Sequence, residues 1–318
     1  MKFWLCAALA AIVAAAVALF GNSYALTFTI QLFVFVVLAY SWNIIGGYTG
    51  YSHFGQMSFF GFGAYVGMLL MLHLKWHWLA AALGAGILAI ALAVPLGAIM
   101  LRLKGPFFAI SMFGLTRVFE AIAFEWSDVT GGGTGLYLPP IGDQKPLYLA
   151  LALLSLGMLL LTRWIDNSRF GLKLQAIRDD EGAAEALGIR TTRLKVLAFT
   201  LSAVPPAACG SLFATHLAFL DPPTAFAPVM EVTTIAMVLL GGLGTVLGPA
   251  IGAIAFALLN EALWSRFPEL YFGLVGIVVI GCVLFMPRGI ASLLVRLKLV
   301  AAGRGAFRRI AAVAERTP

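Results

Sequence analysis

Few side chains in this sequence are of a type and spacing that could do chemistry. In residues 114–126, GLTRVFEAIAFEW, Arg117 and Glu120 stand three apart inside an apolar run, so they share one helix face and can pair. A lone charge at the centre of a bilayer costs at least about 2.5–3.5 kcal/mol on insertion scales, and pairing lowers that cost. The two are read either as a structural intramembrane pair or as groups nearer the outer surface; Glu231 and Glu261 are placed near interfaces. His53 follows Ser52 and precedes Gln56, but neither G-x-S-x-G nor H-E-x-x-H occurs. Cys6, Cys209 and Cys282 each stand singly in apolar sequence, as packing residues rather than metal ligands or a disulfide set. No catalytic or metal-binding constellation is visible. The chain contains no Gly-Lys pair and therefore no P-loop, so it cannot hydrolyse ATP through a P-loop of its own.

The elements that hold these groups are set by composition. Of the 318 residues, 61% are hydrophobic and 11% charged, and the mean hydropathy is +0.97. Soluble domains carry about 25% charged and 45–50% apolar residues. Uncharged runs of about 20 residues read as membrane helices, so the fold class is an all-α polytopic membrane protein. Hydropathy marks about ten spans, near 4–20, 27–45, 55–72, 77–100, 107–125, 147–164, 196–219, 229–246, 249–265 and 269–286. The first resembles a signal peptide, but its length and the spans behind it favour a retained signal anchor. With an inside N-terminus, every Lys and Arg except Lys75, Arg117, Lys145 and Arg266 falls on the cytoplasmic side. This bias supports ten spans with both termini cytoplasmic. It also accounts for the net charge of +7 without nucleic acid. Residues 1–290 form the membrane domain, with a cytoplasmic loop at 165–195. Residues 291–318 form a basic tail suited to the anionic lipid surface.

Two segments break the pattern. Residues 46–67 carry too many glycines for an ordinary span and too few charges for an ordinary loop, and GGLGTVLGP at 241–249 is a turn, a kink or a re-entrant break. Gly63 with Gly67, and Gly248 with Gly252, make G-x-x-x-G pairs that allow close helix packing. The alternative is broken helices beside a substrate path, where irregular backbone is tolerated because it lines a cavity. The candidate path residues are Gly47, Gly50, His53, Gln56, Ser58, Gly61, Gly63, Gly241, Gly242 and Gly244. Further along, Pro205 and Pro206 predict a kink in the seventh span.

Residues 178–189, RDDEGAAEALGI, look like a short water-soluble helix in the most charged internal region. Asp179 or Asp180 can cap its start, Glu181 suits the positive end of its dipole, and Gly188 can close it. Ala183, Ala184 and Leu187 make an apolar strip beside Glu185. At about two turns the helix is too short to stand alone in water. It packs either on its own membrane domain or into a cleft of a separate cytoplasmic protein.

SRFGLKLQAIRDDEGAAEALGI resembles the coupling loop of the LivM branch of branched-chain amino-acid ABC permeases. SDVTGGGTGLYLPP (127–140), GYSHFGQMSFFGFGAY (50–65) and GGLGTVLGPAIGA (241–253) are similar to that branch in the same order, over about two thirds of the chain. The resemblance implies a coupling helix over Asp179–Gly188 and a path lined or gated by Gly46–Gly67. TGGGTGL would lie outside, within reach of a periplasmic binding protein. The implied partners are a second, LivH-like permease and two LivG/LivF-like ATPases that hold ATP and Mg; this chain itself binds no cofactor. The implied location is a bacterial inner membrane. Urea or short amides are the alternative cargo, and an ion-coupled carrier using Arg117 and Glu120 is the alternative class.

Overall fold

The computed structural model describes residues 21–140 and 142–266, with isolated positions at 14, 17, 18, 273 and 276. The expected spans at 4–20 and 269–286, and the basic tail, lie outside the described residues. The long helices are α1 (Ser23–Trp42), α2 (Gln56–His73), α3 (Trp78–Met100), α4 (Pro106–Glu125), α5 (Lys145–Asn167), α6 (Arg169–Asp179), α8 (Thr191–Leu217), α9 (Pro228–Gly241) and α10 (Gly248–Arg266). A short helix, α7 (Glu181–Ala186), links α6 to α8. Among the described residues, six stretches are long and apolar enough to cross a membrane: Ser23–Gly47, α3, α4, α5, α8 and Pro222–Gly241. The other two expected spans there fall on α2, of 18 residues, and on α10, whose apolar stretch is Gly248–Leu263.

α8 is the axis of the bundle. It packs on α2 and α3 along its length and on α1 along part of it. Small residues make those crossings close. A Cβ on Gly63 would lie 2.0 Å from Ala207 O, one on Gly67 2.0 Å from Ser211 Oγ, and one on Gly210 2.1 Å from Phe60 O. The second G-x-x-x-G does the same for α9 and α10: a Cβ on Gly252 would lie 1.9 Å from Met237 O. Both pairs therefore serve tight packing. The outer faces of α3, α4 and α5 stay apolar and exposed, through Ile87, Ile110 and Leu153 among others. Faces of that extent suit lipid, not water.

α8 remains one helix through Pro205 and Pro206. Pro206 has no N–H, which leaves the carbonyl of Ser202 without its helical partner. The hydroxyl of Ser41, on α1, donates to that carbonyl. One of the two carbonyls that the proline pair frees is thus satisfied from a neighbouring helix, in a buried place where water could not do so.

The two ends of α8 define the two ends of the bundle. Near Leu217, β1 (Leu136–Tyr137) pairs antiparallel with β2 (Phe219–Leu220). That ladder holds the glycine turn of TGGGTGL, in which Gly131, Gly132 and Gly135 have positive φ. Near Thr191, the loops after α1 and after α9 meet α6 and α7, and the loop after α3 meets the first turns of α8 at Lys195.

Candidate functional site

The site at this second end is built around α7. Asp180, rather than Asp179, caps the helix: its Oδ1 accepts from Ala183 N at 3.0 Å. The helix closes when Gly188 N donates to Glu185 O at 2.8 Å and Ile189 N to Ala184 O at 3.0 Å. This double closure needs a left-handed residue, and Gly188 supplies it with φ of 81°. Glu185 accepts from the Thr191 hydroxyl, which ties the helix to the start of α8.

One face of α7 is anchored. Glu181 Oε1 accepts from Lys195 Nζ at 2.7 Å, and Glu181 Oε2 accepts from the Tyr51 hydroxyl at 2.8 Å. Lys195 Nζ also donates to the Tyr51 oxygen at 2.9 Å and to Leu101 O at 3.2 Å, and lies 5.0 Å from the centre of the Tyr51 ring. Burial raises the pKa of Glu181, but hydrogen bonds from Lys195 and Tyr51 and the charges of Lys195 and Lys104 outweigh it and leave it below 4.5. Lys195 is buried at 3% exposure and Ala184 at 2%. Two other chain segments thus meet one carboxylate, and Lys195 links it to a third at Leu101.

The other face of α7 points away from the bundle, tied to it at one edge by Glu185 and Thr191. Leu187 is 81% exposed, and Asp180, Ala183, Glu185 and Gly188 are exposed around it. Asp179, the last residue of α6, is exposed as well. A shallow groove of about 360 Å³ lies alongside, lined by Glu185, Ile189, Arg190, Thr191, Thr192 and Arg193. The apolar strip expected from Ala183, Ala184 and Leu187 is therefore split. Ala184 packs inward and the other two face outward.

The glycine-rich segments hold irregular backbone in a packed setting. α1 ends in a widened π turn, Asn43–Gly47, and residues 48–55 are non-helical before α2 begins. Gly50, Gly242 and Gly244 have φ of 78°, 119° and 67°, conformations that favour glycine. Gly61 faces the Phe226 ring, and Gly241 lies against the backbone of Gly248. His53 is buried beside Phe199 and Phe108, with ring centres at 5.4 and 6.2 Å. Burial lowers its pKa to about 3, so it is neutral. Gln56 Nε2 donates to Leu38 O at 2.8 Å, and the Ser58 and Thr116 hydroxyls lie 2.7 Å apart.

Arg117 and Glu120 do form an ion pair, and Arg117 also donates to Phe226 O. Glu231 is buried inside the bundle. It is 3% exposed, and its carboxylate accepts from Gln56 N at 3.3 Å and Met57 N at 2.8 Å, capping α2. Sequence reasoning also passed over Lys195, Tyr51 and Arg178. The first and last read only as part of the positive-inside bias. The one available signal for Glu231 was an acid in the apolar run PVMEVTTIAMVLL, which needs a partner.

The family model described as branched-chain amino acid transport system / permease component matches residues 24–284. The high-affinity branched-chain amino acid transport system permease protein LivM of Salmonella typhimurium is 25% identical over 288 residues, covering 81% of this chain and 67% of that protein. The Escherichia coli protein of the same name matches to the same extent. The autoinducer 2 import system permease protein LsrC of Klebsiella pneumoniae is 34% identical over 127 residues, 39% of this chain and 36% of that protein. No solved structure matches the chain significantly. The family match runs from the start of α1 to beyond the end of α10, and the chain belongs to the family of permease components of branched-chain amino acid transport systems.

Proposed function

We propose that this chain is one of two membrane permeases in an ATP-driven importer of branched-chain amino acids. Its partners are a second, homologous LivH-like permease, two LivG/LivF-like ATPase subunits that hold ATP and Mg, and a periplasmic binding protein. It lies in a bacterial inner membrane with ten spans and with α7 on the cytoplasmic side. The observation that carries the proposal is the two-faced helix α7. One face is fixed to the bundle by Glu181, and the other presents Leu187 at 81% exposure. A capped helix with an exposed leucine, beside a groove lined by Arg190 and Arg193, suits insertion into a cleft on a partner.

Closure of the ATPase pair moves α7. The Glu181–Lys195–Tyr51 cluster passes that motion to α8 and to the break after α1. The path then switches faces through re-packing rather than through any covalent step in this chain. An ion-coupled carrier draws no support from Arg117 and Glu120, which are engaged with each other and with Phe226 O.

The test is purification of the tagged chain in mild detergent from cells that express the whole system. P-loop ATPases co-purify with the wild type. Burying a leucine side chain is worth about 1.5–3 kcal/mol, so Leu187→Asp lowers ATPase recovery roughly tenfold or more while the chain still inserts. Undiminished recovery and uptake in Leu187→Asp would remove α7 as the docking element.

A further inference from the structure

Arg178 stands two residues before the cap of α7 and reaches both glycine breaks. Its Nη1 donates to Gly47 O at 2.5 Å. That carbonyl ends the π turn after α1, where helix carbonyls lack internal partners. The Arg178 stem crosses Gly50, where a Cβ would lie 2.9 Å from Arg178 Cγ. On the other side, a Cβ on Gly244 would lie 3.1 Å from Arg178 Nη1 and 3.0 Å from Gly47 O. The two breaks also hold each other. Gly244 N donates to Asn43 Oδ1 at 2.8 Å, Asn43 Nδ2 to Thr245 O at 3.3 Å, and the Tyr40 hydroxyl to Val246 O at 2.9 Å. One arginine, exposed on its outer side, therefore spans the corner where two breaks meet, almost 200 residues apart in sequence.

The geometry points to Arg178 as a positioning residue that locks the breaks at 47–50 and 242–246 to each other and to α7, so that the three move as one unit. Glu181 cannot do this alone, because its cluster reaches only the first break. Arginine suits the place: its charge is permanent, and a charge-assisted bond to a helix-terminal carbonyl is among the stronger neutral-partner bonds. Glycine at 47, 50 and 244 is what allows the approach. The inference rests on α7 being the coupling helix, and the experiment separates the two ideas.

The test uses the full chain in its purified complex, as wild type, Arg178→Ala and Arg178→Lys. Hydrogen–deuterium exchange reads the amides of 47–51 and 242–246, and uptake per ATP hydrolysed reads the coupling. In Arg178→Ala both segments exchange roughly tenfold faster, and 101–105 is unchanged. ATPase recovery stays at the wild-type level, and uptake per ATP falls about tenfold. Arg178→Lys, which keeps the charge but loses the planar fork of the guanidinium, falls between, and it carries the test if the alanine variant is not recovered. Faster exchange in one segment only, or in neither, overturns the lock. Loss of the ATPases from Arg178→Ala would make Arg178 a docking residue and overturn it also. If no ATPase accompanies even the wild type, the importer reading fails, while the exchange data still decide the lock.

Discussion

The two partners of the Glu181–Lys195 pair differ in their access to water, and that difference sets what each substitution does. Lys195 is 4% exposed in its side chain and Glu181 is 17% exposed. Glu181→Gln leaves a buried ammonium with neutral acceptors alone, Tyr51, Leu101 O and the new amide oxygen; Lys195→Met leaves a carboxylate that can turn to solvent and keeps most of the stem's packing. Stranding the buried charge is the more severe loss. Thermal unfolding in detergent is therefore expected to show Glu181→Gln destabilised by about 1–3 kcal/mol and Lys195→Met by less. The reverse order would show that packing of the lysine stem, not its charge, holds α7. A pKa held below 4.5 also fixes the sign of the pH dependence. The contribution of Glu181 is full above that value and is lost as pH falls through the lowered one. Its share of stability is then flat from pH 8 to pH 5, and unfolding at intermediate pH values checks this. The local geometry of α7 was legible in sequence, because a cap and a closing glycine are local signals. Lys195 and Tyr51 were not, because their partners lie far along the chain.

At the scale of elements, glycine placement decides how closely helices meet. A Cβ at Gly210 would lie 2.1 Å from Phe60 O, which is backbone and cannot swing aside. Gly210→Val must push α2 from α8, and overpacking of this kind costs about 1–3 kcal/mol or more. Its expected result is a lower melting temperature and reduced recovery of folded chain; wild-type stability would contradict the close crossing. The element pattern was readable where hydropathy runs long, and each internal span expected from it falls on a helix. The helix ends were not: α5 continues to Asn167 and α8 begins at Thr191, because these end turns are polar and hydropathy does not count them. The helix runs unbroken through Pro205–Pro206, and Ser41 supplies a donor to the Ser202 carbonyl, one of the two that the proline pair leaves without an amide partner. A partner 161 positions away could not be inferred from the proline pair alone.

At the scale of the whole molecule, the charged loops and the glycine breaks gather at one end of α8, and the β1–β2 ladder closes the other. Charge bias alone suggests such a division, and the contacts of Glu181, Lys195 and Arg178 show how one end is tied together. A chain with no P-loop that presents a stiffly mounted helix fits a machine whose energy enters from a neighbour. The measurement that tests this most directly is uptake of labelled leucine by proteoliposomes that hold the purified complex and an external binding protein. Leucine should accumulate only with ATP on the α7 side, persist when ionophores collapse the ion gradients, and stop in Leu187→Asp. Accumulation that runs without ATP and stops with the ionophore would contradict the account.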